Sequence, residues 1–245
     1  MLQFFRKIRR KLLQEGSFRQ YLLYAIGEIL LVMVGILLAL QVNSWNENRL
    51  ERIEEVNLLE GIQKDLVQDT LSYQSALRIQ RISLRKQTAL RDVIYNRRPR
   101  NDSITNYFRS IAATSTPIFV VATYERALRK GLKTISNDSL RNTLVLYYES
   151  VIPYMDNKTK IDPKYQFAAI MRPFYNKYLK IEFDQNDSKI YSLNDLPAMA
   201  NDNPFLVELN TALLNKDVII DLLDDSLEEC RSLIEQIEVE LEVLR

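Results

Sequence analysis

One carboxylate stands inside the longest apolar run of the chain. YLLYAIGEILLVMVGILLALQV, from Tyr21 to Val42, has Glu28 as its only charged residue. An ionisable side chain at that depth is costly in either protonation state, so it is expected to face protein or water rather than lipid. Gly35 follows seven residues later and Ala39 four further on, which puts Glu28, Gly35 and Ala39 on one helical face that is small except at the glutamate. Two kinds of chemistry fit such a face. A protonated Glu28 can donate a hydrogen bond to a neighbouring helix and glue a homo-oligomer. The same acid can instead line a proton or ion path, although a single acid with no second charged residue in the span makes a poor relay.

Little else in the composition offers catalysis. The 245 residues contain no histidine, which removes the commonest general base and transition-metal ligand. Cys230 is the only cysteine, so neither an intramolecular disulfide nor a zinc knuckle can form. A net charge of +1 gives no basic excess with which to neutralise phosphates, so no nucleic-acid partner is expected. No metal, cofactor or catalytic residue is assigned, and the chain is read as not an enzyme. TYERALRKGLKTI gathers Tyr124, Glu125, Arg126, Arg129 and Lys130. A helix that ends in Arg and Lys before a glycine is also what capping and the helix dipole favour. Tyr147, Tyr148, Tyr154, Tyr165, Tyr175 and Tyr178 could form a binding platform, but such spacing more often packs a helical core.

The elements that must position these residues read as all-α. Residues 1–19 form a basic amphipathic helix whose Arg6, Lys7, Arg9, Arg10 and Lys11 suit the surface of the inner leaflet. Residues 20–43 match the roughly 20 residues that a helix needs to cross the hydrocarbon core. The run exceeds the roughly 7 to 15 apolar residues of a cleaved signal, so an uncleaved anchor is expected. Basic residues precede it and mixed charges follow, which predicts a cytoplasmic N-terminus and an extracytoplasmic 44–245. Within that domain the pattern predicts a long stalk helix over 44–97 and a helical middle over 101–183, with Pro117 starting one helix and Pro153, Pro163 and Pro173 dividing the rest. A loop over 184–204 and a C-terminal heptad helix over 205–245 complete it. The seam of that helix is Ile220, Leu223, Leu227, Cys230, Ile234, Ile237, Leu241 and Leu244. Cys230 is thereby expected as a small buried hydrophobe. The predicted architecture is a single transmembrane helix continuing into an elongated antiparallel helical bundle.

The order of FFRKIRRKLL, YLLYAIGEILLVMVGILLALQVNSWNE, TYERALRKGLKTI and LRNTLVLYYE resembles an uncharacterised family of bacteroidete single-span membrane proteins, the domain-of-unknown-function family numbered 6090. That resemblance implies a diderm host, hence a bacterial inner-membrane protein with a periplasmic domain, and it carries no known activity. The function expected is a non-catalytic scaffold, assembly or sensing subunit of an envelope complex, with membrane lipid, a second copy and an envelope protein as partners. The alternative is an oligomeric ion channel or proton-motive-force-linked component that uses Glu28.

Overall fold

The apolar run lies in one unbroken helix, α1 (Phe18–Ile94). The computed structural model describes residues 18–95, 104–110, 114–161, 167–183, 185–187 and 189–245. The segment 1–17, with Arg6, Lys7, Arg9, Arg10 and Lys11, lies outside the described residues, as do Pro163 and Tyr165. The chain is mainly helical and divides inside α1 into two compact units, Met1–Glu54 and Glu55–Arg245.

The first unit, as described, is helix alone. Its apolar part is long and apolar enough to cross a membrane, with a mean hydropathy of 2.4 and no residue of that window buried.

The second unit contains the rest of α1, then α2 (Ile104–Ser110), α3 (Ala122–Lys130) and α4 (Asp138–Leu146). A π-helical turn (Tyr147–Val151), α5 (Ile152–Asp156), a second π-helical turn (Asn157–Ile161) and α6 (Phe167–Tyr178) follow. Strands β1 (Leu179–Phe183) and β2 (Lys189–Leu193) precede α7 (Leu196–Ala200) and α8 (Asn203–Leu244). Caps mark the helix starts where the sequence supplies them. The Asn137 side chain accepts the Ser139 and Leu140 N–H groups, and Asp202 accepts that of Phe205.

From Glu55 onward, α1 presents core positions at alternating spacings of four and three: Glu55, Leu59, Ile62, Leu66, Asp69, Tyr73, Ala76, Gln80, Ser83, Gln87 and Leu90 are all buried. The facing seam of α8 buries Lys216, Ile220, Leu223, Leu227, Cys230, Ile237 and Leu241, with Ile234 and Leu244 partly covered. Cross-links fix the direction of this pairing. Arg245 bonds Glu60, Gln63 bonds Glu238, Arg81 bonds Asp224 and Asn210 bonds Tyr95, so position rises on one helix as it falls on the other. The two helices are antiparallel here. One apolar cluster gathers around Leu59–Leu77 with α4, the first π-helical turn and the second half of α8. Another joins Leu90–Ile94 to α2, α6 and the start of α8 around Phe205.

Three expectations are corrected. The 184–204 loop and the end of the helical middle at 183 give way to an antiparallel hairpin, with Leu179 opposite Leu193 and Ile181 opposite Tyr191, followed by α7. Two five-residue strands, LKIEF and KIYSL, flank a turn in which Asp187 adopts φ 57°, a left-handed conformation that aspartate tolerates, so the architecture is not strictly all-α. Neither Pro153 nor Pro173 divides the middle; Pro173 lies inside α6, and Pro153 follows a turn that widens so that Ile152 N–H reaches back five residues to the Tyr147 carbonyl. Finally, Pro117 does not begin a helix. Residues 114–121 form neither helix nor strand, and α3 starts at Ala122.

Candidate functional site

The segment 114–121, neither helix nor strand, is a strap along α1, rich in residues poor at forming helix: Ile118, Phe119, Val120 and Val121. Having neither helix nor sheet to satisfy its backbone, it borrows side chains from one face of α1. Ile118 N–H donates to Ser72 Oγ at 2.7 Å, Val120 N–H to Asp69 Oδ1 at 2.8 Å, and Thr123 N–H to Asp65 Oδ2 at 3.2 Å. The Gln80 amide donates to Thr114 Oγ1 at 3.1 Å and to the Ser115 carbonyl at 2.8 Å. At the other end, Gly61 admits α3 closely: a Cβ there would meet Thr123 Cγ2 at 2.9 Å.

Beneath the strap lies a buried polar and aromatic cluster. Asp69 is fully buried; its second oxygen accepts the Tyr147 hydroxyl at 3.4 Å, and no ion pair neutralises it among the described residues. Burial outweighs the hydrogen bonds and raises its carboxyl to about 7. Tyr73 packs edge-on against Phe119 of the strap, Tyr147 edge-on against Tyr148, and Tyr148 stacks on Tyr124 at 4.2 Å. The hydroxyls of Tyr73, Tyr124 and Tyr148 have no hydrogen-bond partner among the described residues. Cys230 donates to the Leu66 carbonyl at 3.4 Å, and burial pushes its thiol up to about 12. A group held as a thiol at neutral pH is packing, not a nucleophile.

A second polar layer separates the two apolar clusters. Lys216, at a seam position of α8, donates to Gln80 Oε1 at 2.9 Å and Ser83 Oγ at 3.2 Å, while Gln87 donates to Ser83 Oγ at 3.0 Å. Burial lowers the lysine to about 8. Gln80 therefore ties α1 to both the strap and α8.

The residues singled out from the sequence fall elsewhere. Glu28 is half-buried, Gly35 and Ala39 are exposed on the same face of α1, and nothing lies within 4 Å of a Cβ at Gly35. Arg129 pairs with Glu125 at 3.7 Å on the exposed face of α3, which ends at Gly131 with φ 99°. Tyr147, Tyr148 and Tyr178 are core, Tyr175 donates to the Phe108 carbonyl, and Tyr154 is exposed. Asp69, Gln80, Ser83, Gln87 and Lys216 escaped a search for apolar periodicity because they are polar. Their signal is that they keep the seam spacing of Leu59, Ile62, Leu66 and Tyr73.

These features define a class: a mainly helical protein that carries, among the described residues, one apolar helix of membrane length and a folded domain whose apolar helix seams also bury polar side chains. Residues 28–187 match a family of unknown function, DUF6090, and the chain belongs to that family. No curated protein and no solved structure matches it. The matched stretch includes Glu28, the strap, Asp69 and Tyr147.

Proposed function

We propose that the chain is a non-catalytic, inner-membrane-anchored scaffold, assembly or sensing subunit of an envelope complex, which self-associates through Glu28, Gly35 and Ala39. The observation that carries this reading is the apolar stretch of α1. Its large side chains from Leu22 to Val42 are 46% to 68% exposed, and Gly35 leaves room for close approach by a helix of a second copy. The basic residues before Tyr21 favour a cytoplasmic N-terminus and contact of Arg6, Lys7, Arg9, Arg10 and Lys11 with anionic lipid. On that orientation residues 44–245 form a periplasmic, elongated antiparallel bundle whose outer faces are offered to an envelope protein.

Native mass spectrometry of the full chain released from lipid nanodiscs tests the self-association. Glu28→Gln keeps hydrogen-bonding capacity and is expected to preserve the oligomer; Glu28→Leu and Gly35→Leu are each expected to weaken it. A strict monomer, or an oligomer indifferent to leucine at both positions, overturns the reading. An intact oligomer that conducts protons in vesicles only with Glu28 present replaces it with the channel alternative.

A further inference from the structure

We propose that Asp69 is a proton-operated clasp: protonated, it holds the strap 114–121 against α1, and ionised, it releases the strap from the Tyr73–Tyr147–Tyr148 cluster.

The geometry gives the carboxyl two tasks. Oδ1 accepts Val120 N–H, a task it performs in either protonation state, while Oδ2 faces the Tyr147 hydroxyl. In the acid form Oδ2–H can donate to the phenolic oxygen, so both oxygens are used without a charge. In the ionised form a full negative charge sits in a fully buried position. The groups facing it do not neutralise that charge. Asp65 on α1 adds like-charge repulsion one turn away, and Tyr73 on α1, Tyr147 and Tyr148 on the π-helical turn, and Cys230 on α8 are neutral, each raised by burial. The strap itself contributes only Val120 N–H. Arg231, the cation beside Cys230, is directed to Glu228 at 2.6 Å. An ionised carboxylate so placed is stabilised chiefly by water.

Water reaches it most cheaply through the strap. α1 and α8 are locked by their apolar seams, and α4 by Leu140 and Leu144 in the core. The strap by contrast is held by side-chain hydrogen bonds at Thr114, Ser115, Ile118 and Val120, by the buried Pro117 and by the partly buried Phe119 and Val121, while its Ile118 is 76% exposed. A backbone held by side chains, with neither helix nor sheet bonds of its own, places it at the low-stability end of the domain. Its displacement would uncover the Tyr73–Phe119 contact and the apolar surface under it. With the Asp69 carboxyl near 7, seating is expected below neutrality and loosening above it. The clasp works within the helical domain, so it would survive a monomeric anchor, and self-association would survive a silent clasp.

The test uses the full chain in lipid nanodiscs with Trp45→Phe and Phe119→Trp, which leaves one indole, on the strap. Acrylamide quenching is expected to rise about threefold from about pH 5.5 to about pH 8.5 for a population shift of this kind, with a midpoint of about 7. Asp69→Asn, whose amide can accept from Val120 and donate to Tyr147, is expected to remain weakly quenched throughout. Tyr147→Phe removes the partner of Oδ2 from both forms, but the charged form loses the stronger hydrogen bond, so the midpoint is expected to move upward. Quenching that is flat in the parent, or a transition unmoved by both substitutions, overturns the clasp. If Asp69→Asn fails to fold by circular dichroism, the Tyr147→Phe midpoint decides: an upward shift supports the clasp and an unmoved midpoint overturns it.

Discussion

Asp69 and Lys216 are buried ionisable groups with opposite pH signatures. The folded state keeps a proton on Asp69, at about 7, that the unfolded chain gives up near 3.8. Its contribution to stability is thus fully present below the unfolded value and is lost as pH rises through about 7. Lys216 is lowered to about 8 from 10.5, so its contribution is full above the unfolded value and is lost as pH falls through about 8. Each is worth on the order of 3 kcal/mol. Thermal unfolding followed by circular dichroism is therefore expected to show a minimum of stability between about pH 7 and about pH 8. Asp69→Asn should flatten the acid arm and Lys216→Met the alkaline arm. Arms that persist unchanged in both variants would assign the pH dependence to other groups. At this scale the sequence was hard to read: only the seam spacing from Leu66 to Tyr73 marks Asp69, and no residue type beside it separates it from the exposed Asp217 or Asp221.

Among the elements, α8 was the most legible, because its seam keeps one period across many turns and each turn repeats the same instruction. Leu241, near the end of that seam, is 4% exposed, whereas Val243 two residues on is 69% exposed. Leu241→Asp is expected to cost several kcal/mol, on the order of 3, and Val243→Asp less than about 0.5. Equal melting temperatures for the two variants would overturn the pairing of α8 with α1. The hairpin and the strap were the least legible. Each is a short run of β-forming residues, and Pro117 signals a helix start as readily as it sits in a segment that is neither helix nor strand. What decided between these was the row of acceptors that α1 offers to the strap's N–H groups, which no local window contains.

For the whole molecule the testable quantity is topology. A cysteine in the exposed hairpin turn, Gln185→Cys in a Cys230→Ser background, is expected to react with an impermeant maleimide in intact spheroplasts if residues after Val42 lie outside the cytoplasm. Labelling seen only after lysis would reverse the orientation, and with it the periplasmic assignment of the domain.

By itself the sequence determined the quantities that depend on composition and period. These are a helix of membrane length at Tyr21–Val42, the predominance of helix, the α8 seam with Cys230 inside it, and α3 ending at Gly131. Each follows from local hydropathy, spacing or capping, which a chain carries before it folds. Tertiary structure alone decided which polar residues are buried. Asp69, Gln80 and Lys216 occupy core positions because segments distant in sequence supply their hydrogen-bond partners, at separations of 51 for Val120 to Asp69 and 136 for Lys216 to Gln80. A polar side chain is tolerated inside only when such a partner arrives, and only the folded chain brings that partner within reach.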